Sequence, residues 1–115
     1  MKNFSVRFHA THAVTVLALT GELDAHTVSE LEAAFEKCRQ DGNHQIVVNG
    51  ARLLYISSAG LGVFLGQIDE IRERGGDIKI AALNPNVFNV FDLLGFPLLF
   101  NIVDTEEEAV TLFAS

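Results

Sequence analysis

Residues 46–76 read IVVNGARLLYISSAGLGVFLGQIDEIRERGG. The first three, Ile46-Val47-Val48, form a short apolar run typical of a central strand that is covered on both faces. Asn49-Gly50 predicts a turn, and a helix is predicted to begin at Ser57-Ser58 and to end at Gly75-Gly76. Its apolar stripe comprises Leu61, Phe64, Leu65, Ile68 and Ile71. A buried strand followed by an amphipathic helix is the repeating unit of an α/β fold.

Upstream of this stretch the pattern predicts a β-hairpin. Apolar and polar residues alternate over residues 4–8, as in a half-buried strand, and residues 13–20 form a β-branched and aliphatic run. The two strands are close enough in sequence to pair antiparallel through a connection at residues 9–12.

A helix is predicted between this hairpin and the central strand. Asp24 or Thr27 can serve as its N-cap, and Thr27 with Glu30 has the spacing of a capping box. Gly42 is expected to end the helix. The predicted buried stripe consists of Val28, Leu31, Phe35 and Cys38.

Downstream, residues 78–82 predict another buried strand. Asn84-Pro85 supplies an N-cap and a proline at the first helical position, and Gly95 ends that helix. The stripe of this third helix is predicted as Val87, Val90, Phe91 and Leu94. Residues 99–103 predict a last strand, and Asp104-Thr105 is expected to cap a final helix. Its stripe carries Ala109, Val110 and Phe113.

The predicted order is therefore ββαβαβαβα. Strands separated by helical crossovers indicate an α/β fold with a mixed, mostly parallel sheet, an N-terminal antiparallel hairpin and about four helices. A chain of 115 residues without a linker or repeat is expected to form one domain over residues 1–115.

The composition argues against several function classes. The chain has 8 Lys+Arg against 15 Asp+Glu, a formal charge of -7, which disfavours nucleic acid and anionic membranes as partners. No apolar run approaches the roughly 20 residues of a spanning helix, and residues 1–7 lack the apolar core of a signal peptide. The single cysteine, Cys38, has no partner within the chain for a disulfide. We expect a cytoplasmic protein.

The segment with unusual chemistry is the junction between strand and helix at residues 55–63. Ser57 and Ser58 each have an ordinary explanation as an N-cap whose oxygen accepts hydrogen bonds from free N–H groups. Gly60, Gly62 and Gly66 follow inside the predicted helix, where each costs about 1 kcal/mol relative to Ala. Close packing within the protein and docking of a partner both explain small residues there, and the sequence leaves these alternatives open.

Three segments, in order along the chain, resemble the STAS domain of small stand-alone bacterial anti-sigma-factor antagonists. Leu19-Thr20-Gly21-Glu22-Leu23-Asp24 is similar to the family's G-E-L-D segment, and Ser57-Ser58-Ala59-Gly60-Leu61-Gly62 to its D-S-[ST]-G-[LI]-G phosphorylation motif. Phe91-Asp92-Leu93-Leu94-Gly95-Phe96 with Leu99-Phe100 resembles the LLGL…LF stretch after the third helix. The resemblance covers nearly the whole chain.

The resemblance places the family's phosphorylated serine at Ser58, with Ser57 as an alternative acceptor. Ser57 stands where the family usually has Asp, and Ala59 where it has a second Ser or Thr, so a carboxylate that helps to orient the hydroxyl is missing. Asp24 is either a helix cap or, with Glu22, part of a partner-binding face beside the phosphorylation loop. The partner-binding residues that the resemblance implies are Glu22, Asp24, Ser57, Ser58, Ala59, Gly60 and Gly62.

The function implied by the resemblance is partner switching. The unphosphorylated domain binds an anti-sigma factor that is also a serine kinase and supplies ATP, and this binding releases the sigma factor. Phosphorylation at Ser58 abolishes binding, and a serine phosphatase resets the domain. The alternative is a STAS scaffold or ligand-sensing module that regulates a target other than a sigma factor by the same switch. No cofactor is implied.

Enzyme chemistry finds little support in the sequence. The serines lack the G-x-S-x-G elbow of hydrolases, and no P-loop is present to hold ATP. No histidine has a spacing that pairs it with a serine, and no metal site is expected; the histidines are His9, His12, His26 and His44. A receiver domain needs an acidic cluster at a strand end, which Val48-Asn49-Gly50 does not provide. We expect a phosphorylation substrate and not an enzyme.

Overall fold

A computed structural model describes residues 3–114 of the chain. Its strands are β1 (Phe4–Thr11), β2 (Val14–Leu23), β3 (Gln45–Ile56), β4 (Asp77–Ala81) and β5 (Ile102–Val103). They form one sheet in the order β1-β2-β3-β4-β5. β1 pairs antiparallel with β2, and every other neighbouring pair is parallel. The predicted mixed sheet with an antiparallel N-terminal edge is confirmed.

Four helices complete the predicted order ββαβαβαβα. They are α1 (Val28–Gln40), α2 (Ser58–Glu73), α3 (Pro85–Leu93) and α4 (Glu106–Ala114), and a 3-10 turn (Phe96–Leu98) follows α3. Residues of α1, α2 and α3 share one buried cluster with the sheet, and residues of α4 share a second, smaller one. The sheet therefore lies between a layer of three helices and a single helix.

The larger core is organised by phenylalanines. Phe64 of α2 lies edge-to-face against Phe35 of α1 and Phe91 of α3, with ring centroids 6.0 and 5.7 Å apart. Phe96 stands edge-on to Phe91 and stacks on Phe100, both at 5.3 Å. Such pairs contribute about 0.5–1.5 kcal/mol each beyond the area they bury. This ring chain, Phe35–Phe64–Phe91–Phe96–Phe100, holds the three helices together.

The helix α4 covers only part of the opposite sheet face. It packs against Val14, Val16, Val47 and Ala81. Alternate residues of a strand face the same side, so this face of β2 continues beyond Val16 with Ala18, Thr20 and Glu22, and none of these three is buried. The carboxyl-terminal half of β2 therefore presents an open face.

Two helix starts follow the predicted capping chemistry. The side-chain oxygen of Asn84 accepts a hydrogen bond from the backbone N–H of Val87 (2.9 Å), with Pro85 as the first residue of α3. The hydroxyl of Thr105 accepts one from the backbone N–H of Glu108 (3.1 Å) at the start of α4.

The turn predicted at Asn49-Gly50 is wrong, because β3 continues through it as one strand of 12 residues. Asn49 pairs with Ala18, and the register with β2 shifts beyond this pair. The side chain of Asn49 accepts a hydrogen bond from the N–H of Ala51 (2.8 Å) within the strand. A Cβ at Gly50 would lie 2.5 Å from the Leu83 side chain, so this glycine permits close packing and does not mark a turn.

The hairpin connection is also shorter than predicted. β1 and β2 pair as far as Thr11 and Val14, so the turn consists of His12 and Ala13 and not of residues 9–12. Both turn residues have positive φ, 49° and 65°, as a tight two-residue hairpin turn requires.

Two leucines assigned to the apolar stripes of helices are exposed in the structure. Leu65 is 45% exposed, on the flank of the stripe that buries Leu61 and Phe64. Leu94 is 59% exposed, because α3 ends at Leu93 and the chain turns at Gly95, where φ is 76°. Leu99, predicted as the first residue of the last strand, lies outside that strand and is 48% exposed. The strand predicted over residues 99–103 shortens to Ile102–Val103 because the 3-10 turn and its end occupy the preceding residues.

Candidate functional site

The carboxyl ends of β2 and β3 meet at one edge of the sheet and bring two predicted segments together. Glu22 pairs with Tyr55 and Leu23 with Ile56. The backbone N–H of Ser57 donates to the carbonyl oxygen of Leu23 (2.9 Å). The residues after β2 therefore lie beside the start of α2, as the predicted partner-binding face requires.

Ser57 caps a helix, which is one of the two roles that the sequence suggests for it. It is the N-cap of α2, half-buried, and its hydroxyl accepts a hydrogen bond from the backbone N–H of Gly60 at 3.5 Å. The cap satisfies one of the free N–H groups of the first turn. Because its oxygen is engaged with the backbone, Ser57 is the less accessible of the two serines.

Ser58 is the first residue of α2 and is exposed. Within the described residues its hydroxyl makes no hydrogen bond. The first turn of α2 carries no acidic side chain, and a helix N-terminus favours an anion through its dipole and free N–H groups. The Ser58 oxygen is thus both reachable from solvent and placed where an added negative charge is tolerated.

The glycines of α2 divide into one that packs inward and two that do not. Gly60 is buried, and a Cβ there would lie 2.8 Å from Ile56 Cγ1 and 2.9 Å from Leu23 Cγ. At Gly62 and Gly66 a Cβ would meet nothing within 4 Å. Internal packing accounts for Gly60 alone, which leaves Gly62 and Gly66 on an open helix face.

Of the seven predicted partner-binding residues, Gly60 is the one that is buried. Ser58, Ala59, Gly62 and Glu22 are exposed, and Ser57 and Asp24 are half-buried. Gly60 therefore shapes this surface from beneath instead of lying on it.

The capping box predicted at Thr27 and Glu30 does not form. Thr27 occupies the N-cap position of α1 without a side-chain cap. Its hydroxyl instead donates to the carbonyl oxygen of Glu22 (2.8 Å) and accepts from the N–H of Asp24 (3.0 Å). The Asp24 carboxylate accepts from the N–H of His26 (2.9 Å). These bonds fix the loop between β2 and α1, since they tie Glu22 and Asp24 to the helix start.

Leu54 and Tyr55 are exposed next to the site, a feature that the sequence interpretation missed. Their exposed fractions are 70% and 51%, whereas Leu53 and Ile56 on either side are buried. The four consecutive apolar residues offered a signal, because a regular strand alternates its faces. The register shift between Gly21 and Glu22 leaves Leu54 unpaired with β2, and this irregularity exposes two neighbours in succession.

Residues 3–114 contain no cluster of three or more His, Cys, Asp and Glu side chains arranged to hold a metal ion. No helix in this part of the chain has the length and apolar character needed to cross a membrane.

The chain is similar to a known domain family over most of its length. A family model describing the STAS domain matches residues 5–109. The anti-sigma-B factor antagonist of Staphylococcus epidermidis is 33% identical over 87 residues, which cover 76% of this chain and 81% of that protein. The anti-sigma F factor antagonist of Paenibacillus polymyxa is 31% identical over 111 residues, covering 95% and 94%.

A solved relative supports the same comparison at the level of structure. The anti-sigma factor antagonist SpoIIAA in its unphosphorylated form superposes with a TM-score of 0.81 at 28% identity, covering 96% of both chains. The phosphorylated form of the Bacillus protein SpoIIAA gives 0.72 at 28% identity, covering 95% of this chain and 99% of that one. The relative thus has solved structures in two phosphorylation states.

Proposed function

This chain belongs to the STAS domain family, and from that premise we propose that it is an anti-sigma-factor antagonist controlled by phosphorylation at Ser58. The observation that carries the proposal is the exposed Ser58 hydroxyl at the N-terminus of α2. The unphosphorylated protein binds an anti-sigma factor and thereby frees the sigma factor. The names of two relatives and the two phosphorylation states of a third support this function.

The anti-sigma factor is proposed to be a serine kinase that brings its own ATP. The Ser58 oxygen attacks the γ-phosphorus, the bond to the bridging oxygen breaks, and ADP and a proton leave. A serine phosphatase then hydrolyses the phosphoserine with water to serine and inorganic phosphate. The chain is a substrate in both steps and not an enzyme. We place this cycle in the cytoplasm, where sigma factors act.

The switch is proposed to act at the interface and not on the fold. Phosphorylation adds about −1.5 to −2 charge, which the N-terminus of α2 accommodates. A partner seated on the same surface must desolvate that charge, and this is costly without a matching cation. A hundredfold loss of affinity requires only about 2.7 kcal/mol, which is within reach of one poorly matched phosphate.

The partner surface is proposed to centre on the first two turns of α2. Ser58, Ala59 and Gly62 are exposed there, and the open space above Gly62 lets a partner backbone approach closely. Glu22 and Asp24 flank this surface from the end of β2. Charged side chains at its border favour encounter with a partner of opposite charge.

The proposal is tested by mapping the phosphorylation site. The wild-type chain, Ser58→Ala and Ser57→Ala are each incubated with ATP and a candidate anti-sigma kinase from the same cell, and the products are analysed by mass spectrometry. We expect one phosphate on the wild type and on Ser57→Ala, and none on Ser58→Ala. Phosphorylation that persists in Ser58→Ala but disappears in Ser57→Ala would show that Ser57 is the acceptor and would contradict the proposal.

Two controls separate the parts of the proposal. ATP alone should leave the chain unmodified, and autophosphorylation would contradict its role as a substrate. Calorimetry should show that Ser58→Ala binds the kinase like the wild type and that Ser58→Glu binds more weakly. Equal binding by Ser58→Glu and the wild type would oppose the interface mechanism. Phosphorylation of Ser58 by a kinase that binds no sigma factor would instead favour the alternative function, in which the same switch regulates a target other than a sigma factor.

A further inference from the structure

Two arginines have no carboxylate partner among the residues that the structure describes. Within residues 3–114, every other Lys and Arg side chain forms an ion pair with Asp or Glu. Arg7 and Arg52 form none, although acidic residues outnumber basic ones by 15 to 8 in the whole chain. Both arginines are exposed. Two uncompensated cations in such a chain mark a locally positive surface.

The strand register places these arginines on one face of the sheet. Arg7 of β1 lies opposite Ala18, and Arg52 of β3 lies opposite Thr20. Ala18 and Thr20 are alternate residues of β2 and share the face that α4 leaves open. Neighbouring strands are about 4.8 Å apart and a strand rises about 3.3 Å per residue, so the two arginines flank β2 with their Cα atoms about 12 Å apart.

Small side chains lie between the two cations. Ser5 pairs with Thr20 on this face, beside Ala18. We call this surface the arginine trough and define it by Ser5, Arg7, Ala18, Thr20 and Arg52. Because its floor carries only small side chains, both guanidinium groups have room to turn towards a ligand lying over β2.

An apolar surface adjoins the trough at the carboxyl end of β3. A cleft of about 540 Å³ there is lined partly by Ser5, Thr20 and Leu54 and, at the end of β2, by Glu22. Leu54 and Tyr55 are 70% and 51% exposed. Exposed aromatic and aliphatic side chains beside cations are typical of protein interfaces.

Two carboxylates border the trough but form no ion pair with its arginines. Glu22 lies at the end of β2 and is not ion-paired with either arginine. Glu106 at the start of α4 holds His9 (3.0 Å) and Asn49 (2.9 Å). The two arginines are therefore available to an incoming anion.

We propose that the arginine trough is a docking surface for an extended acidic segment of a protein partner. Carboxylates of the segment pair with Arg7 and Arg52, and an adjacent apolar side chain covers Leu54. Charge complementarity selects this occupant, because the trough is positive in a chain of net charge -7. The two arginines are also offset by two residues along β2, so their separation equals about three to four residues of an extended chain.

The test measures binding of a defined probe to the full chain. A fluorescein-labelled peptide of alternating Glu and Ala is titrated with the protein and followed by fluorescence anisotropy, beside a peptide with Gln in place of Glu. We expect the Glu peptide to bind and the Gln peptide not to bind, with an affinity that falls as salt is added. Arg7→Gln and Arg52→Gln should each weaken binding about two- to fivefold, and the double variant should weaken it about 4- to 25-fold.

A matched control is Arg74→Gln, which removes a 57% exposed arginine at the end of α2. It should bind the Glu peptide like the wild type, and so should Ser58→Ala, because the trough does not depend on the phosphorylation site. Equal binding of both peptides, or equal losses in Arg74→Gln and Arg52→Gln, would overturn the proposal. Binding of inorganic phosphate at these arginines without binding of the Glu peptide would make the trough a small-anion site and contradict it as well.

Discussion

The hydroxyl of Ser57 accepts a hydrogen bond from the backbone N–H of Gly60 at 3.5 Å, and so caps the helix whose first residue is Ser58. Two adjacent serines with the same side chain thus have different tasks. Ser57 stabilises the start of α2, and Ser58 presents its hydroxyl to solvent. The distinction predicts that substitutions at the two positions affect stability and phosphorylation separately.

Ser57→Ala is expected to lower the free energy of unfolding by about 0.5–1 kcal/mol, because a cap residue is lost. Its long hydrogen bond places the effect at the low end of the range for caps. Ser57→Asp is the matched control, since aspartate also caps helices well. Urea unfolding of the three proteins provides the measurement. A Ser57→Ala variant as stable as the wild type, beside a less stable Ser57→Asp, would show that the cap contributes nothing.

The glycines of α2 are expected to respond in opposite directions to alanine. Gly66→Ala should raise the free energy of unfolding by up to about 1 kcal/mol, because alanine favours the helix and its Cβ meets nothing within 4 Å. Gly60→Ala should lower it by about 1–3 kcal/mol, since its Cβ would lie 2.8 Å from Ile56 Cγ1. Denaturant unfolding measures both, and a destabilised Gly66→Ala would contradict an open face there.

Glu106 is expected to make stability depend on pH in the acidic range. Burial raises the pKa of this carboxyl, but hydrogen bonds from Asn49 and His9 outweigh burial and hold the pKa below its ordinary 4.5. A lowered pKa in the folded state means that the contribution is complete above the unfolded pKa and is lost as pH falls through the folded one.

The corresponding measurement compares Glu106→Gln with the wild type in urea unfolding across pH. The wild type should be the more stable above about pH 5, and the difference should shrink as the carboxyl protonates at lower pH. Glu107→Gln, on the same turn and exposed, serves as the control and should show little change. A difference that stays constant down to about pH 3 would mean that ionisation of Glu106 does not matter.

Cys38 is expected to be inert in the folded protein. The side chain is 2% exposed, and burial, with a smaller contribution from the Asp41 charge, raises the pKa of its thiol to about 11. Since the thiolate is the reactive form, a disulfide reagent such as DTNB should label the native chain slowly at about pH 8. The same reagent should label the guanidinium-unfolded chain fully. Rapid stoichiometric labelling without denaturant would contradict the buried position.

The order of elements could be predicted because it depends on local periodicity and on caps such as Asn84 and Thr105. The continuation of β3 through Asn49-Gly50 could not, since pairing with β2 and packing of Leu83 against Gly50 override a local turn signal. Tertiary contacts decide such cases, and a single sequence does not contain them.

The candidate site divides in the same way. The exposure of Ser58 agrees with its assignment from sequence, but the separation of Gly60 from Gly62 required the structure, because spacing alone does not say which glycine faces the sheet. Arg7 and Arg52 lie on one face of the sheet because of the strand register, which contains a shift between Ala18 and Thr20. No local pattern reveals that two arginines 45 positions apart in sequence share a face.

The ring chain from Phe35 to Phe100 has a consequence for how a signal leaves this domain. Because closely packed rings resist sliding, we expect α2 to keep its position when its N-terminus is modified. The structural effect of a modification at Ser58 is therefore expected to stay local. A partner whose binding depends on the modification would have to contact the N-terminus of α2. Binding of a protein near the exposed Leu93 and Leu98 should not change.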